Sequence, residues 1–373
     1  MTDKIKNIVN ILICAVLILA LSLFAWLKPA DEYSDTERRG LKQFPKLNAE
    51  TILNGNFMSN FEGYVTDQFP MRESFRTLKA FTRLNVFNQS DNNDIYFSNG
   101  FISEMNYPQN EKNILIASEK FRNIYETYFK DNGANVYLSI IPDKNAFLAD
   151  DAGALKIDYN DFFEKLKNKT KDFATYIDIY PLLERDDYYK TDTHWRQEKI
   201  YDVAQKIASE MGVTLKAEYT PTKLDNKFHG VYYGQYALPI GGEDIYYMNN
   251  PLFDECKVVN YEKNAEIPVY NLEKGAGRDP YEMYLSGSLS LITVDNPNAT
   301  SEKELIIFRD SFGSSIAPYF AEGYSRVTLV DIRYLASSSL GGVFDMYGIS
   351  FENADVLFLY STLVLNGSAT LLK

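Results

Sequence analysis

Leu305-Ile306-Ile307-Phe308-Arg309-Asp310-Ser311-Phe312-Gly313 joins an unbroken apolar run to a short polar turn, and a helix is expected beyond it near 315–321. Four consecutive apolar residues leave no polar face, which is what a strand buried on both sides of a parallel sheet requires. Strand, turn and helix in that order is the unit from which an α/β fold is built. The alternation continues outward in both directions. Upstream, a helix over 111–130 runs through Asn132-Gly133 into a strand at 135–141, and a helix over 161–171 leads into a strand at 174–179. Ile200, Val203, Ala204, Ile207, Ala208 and Met211 then repeat at helical spacing. Downstream come strands at 326–332 and 355–360. The fold expected is α/β, a mostly parallel sheet flanked by helices, with functional groups gathered at the C-terminal ends of the strands.

Between about 215 and 295 the periodicity weakens, and Tyr232-Tyr233-Gly234-Gln235-Tyr236 and Gly241-Gly242 read as loops and small strands inserted into the domain. Ahead of the domain, which is taken as 111–373, residues 29–110 read as a tether and an N-terminal extension. This extension has helices near 49–64 and 72–87 and a hairpin at 94–102 turning at Ser98-Asn99. Residues 8–27 are interrupted only by Asn10, Cys14 and Ser22, long enough for an N-terminal transmembrane helix. The bulky Phe24-Ala25-Trp26-Leu27-Lys28-Pro29 offers no small-residue cleavage site, so 1–28 is expected to be an uncleaved membrane anchor.

The formal net charge of -13 over 373 residues argues against nucleic acid, which demands a basic face. Cys14 lies in the apolar segment and Cys256 in the body, which excludes an intramolecular disulfide. The glycine pairs lack the strand-turn-helix spacing of a phosphate loop, and no cofactor is expected.

Only two histidines are present, His194 and His229, so an imidazole base has few places to be. Asp192-Thr193-His194-Trp195 puts a carboxylate two residues before His194; in an extended segment the two share a face. The pair lies on the segment feeding the helix at 200–211. Ser311, at the turn after the apolar strand, is placed to present its hydroxyl beyond the sheet edge near backbone N–H groups that would hold an oxyanion. Helix capping by Asp310 or Ser311 is the competing reading. Taken together, Ser311, His194 and Asp192 form a candidate nucleophile, base and orienting acid. Lesser candidates are Lys144, which at a strand end either reaches a substrate site at the same sheet edge or is simply exposed, Gly287 as a backbone oxyanion donor or an ordinary turn glycine, Arg333 for substrate or an acid partner, Tyr360 for substrate, and Asn366 near the last strand. His229 reads as a loop residue. A metal held by Asp192, His194 and Asp310 is the chemical competitor, but hydrolytic zinc sites draw on more histidines, and no metal is expected.

Asp192-Thr193-His194-Trp195 resembles the D-x-H-W signature of the alginate O-acetyltransferase-like proteins and the related DHHW-motif proteins of Gram-positive bacteria, members of the SGNH-hydrolase-like superfamily. Further motifs follow the same order over about residues 37–335: Glu37-Arg38-Arg39-Gly40-Leu41 with Phe44-Pro45, Asp67-Gln68-Phe69-Pro70-Met71-Arg72, Pro142-Asp143-Lys144, Phe228-His229-Gly230 and Arg309-Asp310-Ser311-Phe312. Thr193 stands where the DHHW-motif proteins have a histidine, which touches the subfamily more than the mechanism. The resemblance implies an SGNH-hydrolase-like fold and a cell-membrane enzyme with an extracytoplasmic C-terminal body. Such an enzyme moves acetyl groups onto or off a cell-surface polysaccharide, supplied by a membrane-bound O-acyltransferase. It also implies Ser311 as nucleophile, His194 as base and Asp192 as its partner. A carbohydrate acetylesterase and a non-catalytic anchored polysaccharide-binding or assembly protein remain alternatives.

Overall fold

The computed structural model describes residues 3–352, 354–367 and 371. They fall into two compact units, one of Met1–Asn92 with Tyr233–Pro239, the other of Asn93–Tyr232 with Ile240–Lys373.

The first unit begins with helix α1, Asp3–Leu27, which is long and apolar enough to cross a membrane and buries none of its residues. After a one-turn helix at Ala49–Leu53 come α2, Asn56–Asp67, and α3, Arg72–Phe81. A polar clasp joins them to the segment after α1. Asp67 is buried and accepts two hydrogen bonds from the Arg39 guanidinium, at 2.8 and 2.6 Å, and one from the Lys42 N–H at 2.9 Å. The Arg39 hydrogen bonds hold its carboxyl down to about 2. Glu37 pairs with Arg72 at 2.8 Å and Arg76 at 3.4 Å. The two charged motifs at 37–41 and 67–72 are thus two halves of one structural fastening.

In the second unit the sheet strands are β1 Asn135–Ile141, β2 Thr175–Tyr176, β3 Lys257–Asn260, β4 Ala265–Ile267, β5 Leu291–Asp295, β6 Glu304–Arg309, β7 Arg326–Val330 and β8 Asp355–Ser361. Their order is β4-β3-β5-β7-β6-β8-β1-β2. From β7 to β2 every pairing is parallel; β5, β3 and β4 add an antiparallel edge. Alternate side chains of the central strand enter opposite cores, as its pleat dictates. Leu305 and Ile307 face Val203, Ile207, Ile316 and Phe320; Ile306 and Phe308 face Ile114, Phe121, Phe162 and Leu166. The covering helices are α4 Glu111–Ile124, α5 Asn145–Ala152, α6 Tyr159–Thr170, α7 Tyr201–Glu210 and α8 Gly313–Phe320.

Three details differ from the sequence reading. The stretch near 215–295 contributes β3, β4 and β5 to the main sheet. These strands are short and two lie near an edge with exposed positions, so their alternation is faint in sequence. The strand expected at 174–179 is ladder-paired only at Thr175 and Tyr176, before the chain turns at Pro181, which has no N–H to give. The hairpin Ile95–Ser98/Phe101–Glu104 turns one residue later than expected, at Asn99-Gly100, both at positive φ.

Candidate active site

The chain leaves β6 at Arg309, turns through Asp310, Ser311 and Phe312, and enters α8 at Gly313. A Cβ at Gly313 would lie 2.6 Å from that of Arg309, so the sharpness of this turn requires glycine. Asp310 is fully buried and shapes the turn: its carboxylate accepts the Phe312 N–H at 3.0 Å and, across to the end of β8, the Ser361 N–H at 2.7 Å. The turn's backbone donor is therefore satisfied by Asp310, which leaves the Ser311 hydroxyl for another partner. The Ser311 N–H makes no hydrogen bond among the described residues.

That partner is His194. Its Nε2 lies 2.7 Å from Ser311 Oγ, and its Nδ1 lies 2.6 Å from Asp192 Oδ1. The same Oδ1 accepts the His194 backbone N–H at 3.1 Å, which folds the chain back so that residues two apart meet. The other oxygen, Oδ2, accepts the Val231 N–H at 2.8 Å. The pair lies on the segment that feeds α7, as the spacing at 200–211 predicts: a loop closed by a Tyr188–Trp195 bridge leads through a 3-10 turn at Gln197–Lys199 into α7 at Tyr201.

Trp195 bolts the two halves together. Buried completely, its indole N–H donates to Phe312 O at 3.2 Å and Ser315 Oγ at 2.9 Å, so the residue after the base holds the turn that carries the serine. Tyr281 adds a clamp that the sequence did not reveal: its ring stacks on the imidazole with centroids 3.8 Å apart and planes 11° from parallel, and its hydroxyl lies 2.8 Å from Ser315 Oγ. One tyrosine among 28, on a one-turn helix at Pro280–Met283, carries no local signal of this role. Removing the stack in Tyr281→Ala is expected to lower kcat about tenfold, the worth of one aromatic pair, whereas Tyr281→Phe keeps most of it; steady-state kinetics on an ester substrate checks this.

Lys144, a strand-end candidate for substrate or else an exposed lysine by sequence, is neither: it is buried against the loop. Its Nζ donates to three carbonyls, Tyr189 O at 2.8 Å, Lys190 O at 3.2 Å and Asp192 O at 2.6 Å. Glu243 receives the Lys190 and Thr191 N–H groups, each at 2.9 Å, from the other side. Gly230 explains the Phe228-His229-Gly230 motif: a Cβ there would lie 2.2 Å from the Asp192 Cβ, and its N–H donates to Thr191 Oγ1 at 2.9 Å. Gly230→Ala is therefore expected to push Asp192 off the imidazole and cost about 100-fold in kcat, as angstrom-scale misplacement does. Retained cooperative unfolding in the same variant separates this from gross misfolding.

The remaining sequence candidates are placed elsewhere in the fold's bonding. The Gly287 N–H already donates to Tyr284 O at 3.0 Å, so it does not offer an oxyanion contact. Arg333 is held by Asp331, at 2.9 and 2.6 Å, the acid-partner alternative of its two readings. Tyr360 is fully buried and stacks against Phe121, a core residue. The Asn366 amide bonds Asn106 and the Asn110 N–H, tying the helix at Thr362–Gly367 to the segment before α4. His229 is exposed. Among the described residues no group of three or more His, Cys, Asp and Glu is arranged to hold a metal ion.

No family model matches the chain, and no curated protein sequence matches it. Solved structures do. A DHHW family protein from Eubacterium siraeum superimposes with a TM-score of 0.56 at 17% identity, over 75% of this chain and 96% of that one. The chain has the fold of a DHHW family protein. Bacillus cereus PatB1, solved with a sulfonyl adduct, gives 0.58 at 17% identity, over 74% of this chain and 96% of that one. The O-acetyltransferase domain of Pseudomonas putida AlgJ gives 0.43 at 12% identity, over 72% and 89%. Within the shared fold, the hydrogen-bonded line Asp192–His194–Ser311 stands at the C-terminal edge of the parallel strands, where such sheets place their chemistry.

Proposed function

We propose that this chain is a serine-dependent O-acetyltransferase that acts outside the cytoplasmic membrane on a cell-surface or secreted polysaccharide. The observation that carries the reading is the continuous bond line from Asp192 through His194 to Ser311, with Ser311 at the N-terminus of α8. Its membrane placement rests on α1, and its substrate class on the ordered motif resemblance. A sulfonyl adduct forms on Bacillus cereus PatB1, which has this fold, and a sulfonyl group attaches to an activated nucleophile.

His194 Nε2 takes the Ser311 hydroxyl proton as Oγ attacks the acetyl carbonyl. The oxyanion meets the Ser311 N–H and the first turn of α8. Collapse breaks the bond to the donor oxygen, which leaves with the proton from His194. A sugar hydroxyl then gives its proton to the same nitrogen and attacks the acetyl-serine; as the Ser311 Oγ–acetyl bond breaks, His194 returns that proton to Oγ, the sugar departs as the acetyl ester and Ser311 is restored. Asp192 holds the imidazole with Nδ1–H toward itself, so that Nε2 is the free base. A membrane-bound O-acyltransferase is the proposed source of the acetyl group.

The test is acetyl transfer by the full chain from an activated acetyl ester to defined oligosaccharides, followed by mass spectrometry of the sugars. Acetylated sugar is expected. Acetate release with no acetylated sugar across a panel of acceptors would assign an esterase instead, and absence of both would remove the enzymatic reading.

A further inference from the structure

The first unit exposes apolar surface that water does not account for. Thirteen of the large apolar side chains exposed in the described chain lie between Phe44 and Phe87, against eight in all the chain after Asn93. Their arrangement is ordered. In α3 the arginines turn inward, Arg72 and Arg76 to Glu37, while Met71 just before the helix and Phe75 and Leu78 within it, at i, i+4 and i+7, are 63%, 44% and 57% exposed, and Phe81 is 50% exposed. A helix on a water-soluble body does the reverse. An apolar face of this extent needs an occupant.

The depth of that face is set by α1. A cavity of about 560 Å³ is lined by Ile18, Ser22 and Trp26 of α1 together with Phe44, Phe61 and Phe69. Residues 18–27 rise about 14 Å, close to half of a hydrocarbon core of about 30 Å. Side chains that share a cavity with that part of a membrane-spanning helix stand at the level of the acyl chains and headgroups, not in bulk water. The ring cluster of Phe44, Phe57, Phe61 and Tyr64, with centroids 5.4 to 6.4 Å apart, lies on the same side, where interfacial aromatics belong.

We propose that α2, α3 and the residues on to Phe87 form an interfacial foot whose occupant is the lipid bilayer itself, entered by Phe69, Met71, Phe75, Leu78 and Phe81 beside the end of α1. This rests on the reading of α1 as a membrane span. The contact is apolar insertion of the kind made by helices lying in a membrane surface, and so it does not depend on anionic lipid or conflict with the chain's acidic balance. The first unit then meets the membrane through a surface and not through one helix alone.

The test uses the full chain in phosphatidylcholine vesicles with no other protein, in a Cys14→Ser, Cys256→Ser background carrying one bimane-labelled cysteine. The positions are Phe75→Cys and Leu78→Cys on the foot, Leu17→Cys inside α1 and Asn168→Cys on an exposed helix turn of the second unit. Brominated acyl chains are expected to quench the label several-fold at 75, 78 and 17, and to leave 168 unchanged. Quenching at 17 but not at 75 and 78 overturns the foot while leaving the span in place. No quenching at any of the three removes the span as well. Loss of emission at 78 that follows protein concentration in the vesicles, with no dependence on bromine, gives this face to a second copy and also overturns the proposal.

Discussion

Ser311→Ala is expected to lower kcat by about 10⁴-fold or more while leaving the melting transition in place. The side-chain hydroxyl bonds His194 at a partly exposed position, so its removal leaves no buried group unpaired, whereas the turn around it is held by Asp310 and Trp195. Loss of activity without loss of fold is the signature of a nucleophile. His194→Ala is expected to fall by a similar factor, and the double variant scarcely further, because the two act as one unit. Asp192→Asn keeps the shape but presents an amide where the imidazole needs a carboxylate, and a loss of about 10² to 10⁴ in kcat is expected. Unchanged turnover in Ser311→Ala would remove the acyl-serine route.

The second large effect concerns stability. Lys144→Met is expected to cost about 3 kcal/mol or more, since it strips three carbonyls of their donor in a buried place. Those carbonyls belong to the loop that carries Asp192, so activity falls with stability. The pH dependence has a definite sign. Burial pulls the Lys144 pKa down to about 7, against the attraction of the Glu243, Asp192 and Asp143 carboxylates. A lysine whose pKa is lower folded than unfolded carries its full burial cost below about pH 7, and sheds it as pH rises toward the unfolded value of about 10.4. The unfolded chain binds more protons across that window, so wild type gains stability relative to Lys144→Met. Denaturant titrations of both proteins at pH 6.5 and pH 9.5 check this; a deficit that narrows at the higher pH contradicts the assignment.

What could be read from the residues follows from how locally each feature is encoded. The strand at 305–308 and its serine turn were legible because burial on both faces demands an unbroken apolar run and the turn follows at once. The Asp192–His194 pairing was legible because the two are neighbours in sequence. Tyr281 was not, since its stacking on His194 is made across 87 residues by a tyrosine like any other. Lys144 was placed at the right strand end and given the wrong direction: sequence locates a strand terminus but does not tell which way a long side chain turns, here back under the loop. Gly287 failed for a related reason, because whether an N–H is free depends on the turn around it. The charged motifs near 37–41 and 67–72 carried order without a reason until the Arg39–Asp67 and Glu37–Arg72 contacts showed them fastening the first unit.

In the proposed reaction Ser311 carries the acetyl group. Rapid quenching of the enzyme after mixing with an activated acetyl ester, followed by peptide mass spectrometry, tests it directly. One acetyl group is expected on the peptide containing Ser311, absent in Ser311→Ala and in His194→Ala, and discharged when an oligosaccharide is added. Turnover that proceeds with Ser311 unmodified, or an acetyl group that accumulates on another residue and discharges at the turnover rate, would contradict it.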